Sequence, residues 1–235
     1  MTDENKYVNL NENANIKKVN FTEFNEGDEF IKIPFESVPK FEEKTVDLVF
    51  VLDRSGSMSR SVQDTIGSFN SFIAKEKSKF RDTRVTTVLF DDEYHMLYSR
   101  KPISQVSKLT EREYFTYGCT ALLDAIGTTI TDLNTKVNNE VIFIVITDGY
   151  ENASRRYNNK QIRNLISNHK WEFIFVGADI DSFSQSRKIG IDMAHTANFN
   201  KSSEGINDLF ESFEKVVDSC HENKDFDISW KEGLE

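Results

Sequence analysis

The stretch Val46-Asp47-Leu48-Val49-Phe50-Val51-Leu52-Asp53-Arg54-Ser55-Gly56-Ser57-Met58-Ser59 sets the fold and points to the chemistry. An almost wholly apolar, β-branched run is what a strand needs when helices cover both faces of its sheet. The run stops at Asp-x-Ser-x-Ser, and a helical pattern follows at once. Open α/β sheets hold their ligands beyond the carboxyl ends of their strands, where this polar cluster falls. One carboxylate and two hydroxyls are hard oxygen donors, suited to Mg²⁺ or Mn²⁺ rather than to zinc.

Alternation of strands and helices continues outward from that stretch and predicts an α/β, doubly wound, mostly parallel sheet with helices on both faces. Ile66, Phe69, Phe72 and Ile73 recur at helical spacing. Arg84 to Phe90 is a second strand, and Asp91-Asp92-Glu93 is a solvated turn into Tyr94 to Tyr98. That last run alternates polar and apolar residues, which marks one antiparallel edge strand. Glu111 to Tyr114 is expected to be helical, and a further helix opens near Ala121. Val141 to Ile146 is a second wholly apolar strand, ending in Thr147-Asp148-Gly149. A helix carrying Ile162, Leu165 and Ile166 leads to a strand over Trp171 to Val176. A short helix over Ile180 to Lys188, a last strand over Ile191 to His195 and an amphipathic helix over Gly205 to His221 complete the pattern.

Composition narrows the function classes. The chain has 235 residues, room for an α/β domain of about 180–190 residues and an arm. Its formal net charge is −10 and no Lys/Arg-rich block occurs, which argues against a nucleic-acid partner. Nothing approaches the ~18 apolar residues of a membrane span. Two cysteines, Cys119 and Cys220, do not make a disulfide framework. With an amino terminus unlike a signal peptide, this predicts a cytoplasmic protein. Residues 1–43 are expected to be an N-terminal arm, partly disordered, with a Phe-rich extended segment from Phe21 to Phe41 interrupted by Pro34 and Pro39. Residues 223–235 are expected to be a C-terminal tail.

Three separated segments offer oxygen donors where a core strand ends or a helix begins: Asp53, Ser55 and Ser57; Thr120; and Asp148. Asp53 and Asp148 each close an apolar strand, so neighbouring parallel strands bring both to one rim. Two carboxylates nearly neutralise a dication, and hydroxyls add no charge, so such a metal keeps open positions for an external anion. A helix-capping turn accounts for Asp53, Ser55 and Ser57 alone but not for Thr120 and Asp148. Cys119 is expected to be a small packed thiol. His95 and His195 belong to no zinc-like cluster. Gly177 to Asp181 is a capping loop lining the same face.

Asp53-Arg54-Ser55-Gly56-Ser57, Thr120 in its Thr-Ala-Leu-Leu-Asp-Ala context, and Thr147-Asp148-Gly149 together resemble the metal-ion-dependent adhesion site of von Willebrand factor A domains. The resemblance covers residues 44–222. It implies a metal site of Asp53, Ser55, Ser57, Thr120 and Asp148 holding Mg²⁺, with Mn²⁺ or Ca²⁺ as substitutes. It also implies a protein partner that donates Glu or Asp to the metal, and closer kinship with intracellular bacterial and phage-borne members than with secreted adhesins. Within that group it implies an adaptor, for AAA+ ATPases of the MoxR type or stress-response assemblies of the TerY type. The competing class is a metal-dependent hydrolase, phosphoesterase-like, using the same rim. That chemistry requires a general base or second metal, for which the sequence offers no candidate.

Overall fold

The computed structural model describes residues 44–234, so the N-terminal arm lies outside the described residues. Six strands form one sheet: β1 (Val46–Asp53), β2 (Thr83–Phe90), β3 (Tyr94–Pro102), β4 (Glu140–Thr147), β5 (Glu172–Gly177) and β6 (Thr196–Asn198). Their order is β3-β2-β1-β4-β5-β6, parallel throughout except for β3. Five α-helices accompany them: α1 (Val62–Ser78), α2 (Leu122–Asn134), α3 (Asn159–Ser167), α4 (Ser182–Ile189) and α5 (Ser203–His221). The predicted doubly wound sheet with one antiparallel edge strand is the observed fold.

Strand alternation divides the core into two layers. Leu48, Phe50 and Leu52 of β1, with Ile142, Ile144 and Ile146 of β4, face α1 and α5. Val49 and Val51, with Val141, Phe143 and Val145, face α2 and α3. Because β1 and β4 are buried on both faces, they carry no polar alternation, which is why they read as continuous apolar runs. Phe50 anchors the first layer: its ring lies edge-on to Phe69 (5.4 Å) and Phe72 (5.6 Å), and Phe213 of α5 closes over it at 6.3 Å. Such offset and edge-to-face pairs add to the area term of burial. The polar exception within β1 is Asp47, 1% exposed, which accepts from Arg100 Nε (2.7 Å), Arg100 Nη2 (3.0 Å) and Asn139 Nδ2 (3.0 Å).

Several expectations need correction. The last strand is Thr196–Asn198, not Ile191 to His195, which forms the turn before it. Glu111 to Tyr114 is a turn rather than a helix. Asp91 is not solvated: it is 2% exposed and pairs with Arg54 Nε at 3.0 Å. Beyond α5, within the segment expected as a C-terminal tail, Ile228–Lys231 forms a 3₁₀ turn that seats Trp230 against the first layer.

His221, the last residue of α5, gives the fold a predictable acid response. Burial, with Arg81 and Lys44 nearby, pushes its imidazole down to about 4, while its Nε2 stands 3.0 Å from Thr83 Oγ1. A folded-state value below the unfolded value favours the neutral ring in the fold. The contribution is therefore complete above about pH 6.5 and lost as pH falls toward 4. After allowance for partial exposure we expect it to be about 1 kcal/mol. Urea midpoints at pH 7 and pH 5 should converge more closely for His221→Gln than for wild type; an unchanged pH dependence in the variant would assign the acid loss to other groups.

Candidate metal centre

The strand order reverses between β1 and β4, and the polar residues collect at the carboxyl end of that crevice. Pairing of Leu52 with Ile146 sets Asp53 level with Thr147 and brings Asp148 to the same rim. Asp53 is fully buried; its Oδ1 accepts from the Ser55 amide at 2.6 Å and its Oδ2 accepts from Thr147 Oγ1 at 2.5 Å. Burial raises the Asp53 carboxyl to about 6 against the pull of those two donors, and the neighbouring Asp148 adds to the rise. Ser55 stands just before a 3₁₀ turn over Gly56–Arg60, and its Oγ lies 3.1 Å from Ser57 Oγ. Ser57 Oγ in turn donates to Asp148 Oδ1. Thus four of the five predicted residues are joined by direct contacts.

Thr120 comes in from the loop before α2. Its amide donates to Asn152 Oδ1 at 2.9 Å, and a Cβ added to Gly149 would stand 2.5 Å from its Oγ1. Only glycine lets the β4 turn approach Thr120 this closely, so the Thr147-Asp148-Gly149 sequence has a packing reason as well as a chemical one. Ala121, where the sequence pattern opens the helix, occupies the cap position of α2, and Thr120 stands one residue before it. The first amides of α2 are satisfied from the loop after β4, where Glu151 Oε2 accepts from Leu123 N at 2.9 Å.

The site floor is held by residues that sequence reasoning passed over. Tyr114, fully buried, donates its hydroxyl to the Asp53 carbonyl at 2.6 Å; burial and the Asp53 charge hold that phenol above its ordinary range. Arg54 turns away from the rim to pair with Asp91, and its guanidinium lies 4.7 Å over the Phe115 ring. Lys201, from the loop between β6 and α5, reaches Asp148 Oδ2 at 2.9 Å and Asp179 Oδ2 at 2.7 Å. Burial opposes its charge, but bonds to Asp179 and Asp148 prevail and raise the ammonium above the usual lysine range. Asp181 of the same rim loop caps α4 by accepting from the Ser184 amide at 2.9 Å, as the capping-loop expectation required.

The donor set suits a hard dication. Two carboxylates and three hydroxyls meet at this rim, while no group of three or more His, Cys, Asp or Glu side chains placed to hold a metal ion by themselves occurs among the described residues. Cys119, expected to be packed, is exposed beside this rim. Phe115 and Tyr117, on the segment that carries Thr120, and Tyr150, next to Gly149, are at least half exposed. A cavity of about 510 Å³ opens at the other end of the sheet, among Glu140 and Glu172 at the strand starts, and contains none of the predicted ligands.

The family model described as von Willebrand factor type A domain matches residues 47–212. Among solved structures, proximal thread matrix protein 1 from the mussel byssus, with a zinc-occupied MIDAS motif, is 16% identical with a TM-score of 0.54. That alignment covers 74% of this chain and 46% of the mussel protein. The pilus adhesin SpaC of Lactobacillus rhamnosus GG is 13% identical with a TM-score of 0.61, over 77% of this chain and 30% of SpaC. The ArnB paralog VWA2 of Sulfolobus acidocaldarius is 18% identical with a TM-score of 0.52, over 72% of this chain and 45% of that one. The chain therefore spans less than half the length of each of these proteins, and the likeness is one of fold. No curated protein sequence matches the chain.

Proposed function

Because the chain belongs to the von Willebrand factor type A family, we propose that it is a non-enzymatic, divalent-metal-dependent protein-binding module. Asp53, Ser55, Ser57, Thr120 and Asp148 would hold Mg²⁺, with Mn²⁺ or Ca²⁺ as substitutes. A Glu or Asp from a protein partner would complete the coordination. The observation that carries this reading is the link from Ser55 through Ser57 to Asp148, which ties donors from two separate strand ends into one oxygen cluster. A metal held by only two carboxylates retains the electrophilicity to take a third from another molecule. The exposed Phe115, Tyr117 and Tyr150 would supply apolar contact around that carboxylate.

At the finer level we infer a cytoplasmic adaptor of bacterial or phage type, serving a MoxR-type AAA+ ATPase or a stress-response assembly of the TerY type. The acidic balance disfavours nucleic acid, and no helix among the described residues is long and apolar enough to cross a membrane. Affinity capture from the native cell, in Mg²⁺ and in EDTA, tests this with wild type and Asp53→Ala side by side. The expected result is a partner retained only by wild type in Mg²⁺. Phosphoesterase turnover by the purified wild-type protein would replace the adaptor with the hydrolase. Chelation is expected to lower the thermal midpoint by no more than about 5 °C, because the core beneath the rim is complete without metal; unfolding on EDTA addition would contradict that.

A further inference from the structure

Asp148 lies under a cation of the protein's own. Its side chain is fully buried, and Lys201 Nζ donates to its Oδ2 at 2.9 Å while Ser57 Oγ donates to its Oδ1. The same ammonium bonds Asp179 Oδ2 at 2.7 Å, and Asp179 is 70% exposed. The root of the lysine is fixed. Phe199 N donates to Gly177 O at 3.0 Å, Ser202 N donates to Asn200 Oδ1 at 2.9 Å, and Ser202 Oγ caps α5 by accepting from Gly205 N at 3.1 Å. Only the four-carbon stem is left to move, and its head has two anchors of unequal depth, one inside the rim and one in solvent.

A dication and an ammonium sharing one carboxylate repel each other, and the repulsion is strong where water is excluded. Resting on the metal-binding reading above, we propose that Lys201 is a tethered competitor for the metal. It neutralises Asp148 when no metal is bound, and a divalent ion binds only by driving the ammonium onto Asp179. The buried carboxylate is thereby never left as an uncompensated charge, which would be costly. The consequence is a weakened intrinsic metal affinity, so that occupancy rises steeply only when a partner's carboxylate arrives to share the metal. Asp179 is the receiving site, held in place by a left-handed backbone (φ 57°) that Asp adopts more readily than most residues.

Calorimetric titration of the full chain with Mn²⁺ alone, at low ionic strength, tests this without reference to any partner. Lys201→Met is expected to bind Mn²⁺ at least tenfold more tightly than wild type, and Lys201→Arg about as weakly as wild type. Asp179→Asn, an exposed change that leaves the fold alone, is expected to weaken Mn²⁺ several-fold in the wild-type background and to have a smaller effect beside Lys201→Met. Saturable binding to wild type that is unchanged or weaker in Lys201→Met overturns this inference and leaves the metal site standing. Tighter binding by Asp179→Asn overturns it as well, and decides the matter should Lys201→Met not fold. Failure of every chain to bind Mn²⁺ overturns the metal reading, and this inference with it.

Discussion

Asp53→Asn is expected to abolish divalent-metal binding and, in EDTA at pH 7.5, to make the protein more stable than wild type by about 1–3 kcal/mol. The two effects share one cause. Asp53 is fully buried, and burial is the largest influence raising its carboxyl to about 6. An acid whose folded-state value exceeds its unfolded value stabilises the fold only while protonated. That contribution is complete below about pH 4 and lost as pH rises through 6, so at neutral pH the charge is a burden to the metal-free fold. Asn keeps the shape without the charge. Its Oδ1 can still accept from Ser55 N, and its amide can donate to Thr147 Oγ1, whose proton can turn to the Gly149 carbonyl 3.2 Å away.

Metal reverses the order. A bound dication stabilises wild type by mass action, and Asp53→Asn forgoes that gain. Urea unfolding in EDTA at pH 7.5 and pH 4.5, and again in saturating Mg²⁺, checks all three statements. The stability advantage of the variant should shrink toward pH 4.5 and change sign in Mg²⁺. A variant less stable than wild type in EDTA at pH 7.5 would mean that Asp53 serves the architecture of the β1 turn more than a ligand.

What the chain discloses before folding depends on how many faces a residue must satisfy. β1 and β4 are buried on both sides along Leu48–Leu52 and Val141–Ile146, so those positions are constrained to be apolar, and the abrupt ends of the two runs pick out Asp53 and Asp148. β6 has only three residues, Thr196-Ala197-Asn198, and its ladder pairs with β5 alone. Too few side chains enter the core there to leave a pattern, and the more apolar Ile191 to His195 attracted the strand assignment instead. That displacement hid Lys201, which lies three residues past the true strand and so at the rim. Asp91 departs from the expected solvated turn for a different reason: an acidic turn is solvated unless a cation folds onto it, and Arg54 comes from a strand end distant in sequence. The oxygen cluster was readable because its donors lie at positions that local patterns fix. Its counter-cation was not, because nothing local fixes the direction a lysine stem takes.

Trp230→Ala is expected to cost about 3–5 kcal/mol, and roughly 8–15 °C in thermal midpoint, although Trp230 lies beyond the residues matched to the family. The surrounding sequence, Glu222 to Asp227, is charged and gives no periodic signal, yet the indole is 2% exposed. It stacks on Phe213 of α5 at 6.3 Å and 20°, meets Phe226 edge-on at 6.4 Å, and its Nε1 donates to the Ala194 carbonyl at 2.9 Å. Lys231 adds a bond to the Thr196 carbonyl at 2.8 Å, so the turn after α5 braces the start of β6. Truncation to alanine removes a large apolar surface and leaves the Ala194 carbonyl without its donor, two penalties with separate origins. Trp230→Phe retains most of the packing and should lose only about 1–2 kcal/mol, which separates the two. Because Trp230 packs where β6 begins and the proposed ligands Asp53 and Asp148 sit where β1 and β4 end, Mn²⁺ affinity of the folded variants should match wild type. Urea denaturation with an unchanged slope, read beside Mn²⁺ titration, checks both halves. A Trp230→Ala protein within 1 kcal/mol of wild type would show that residues 223–235 add nothing to the stability of the core.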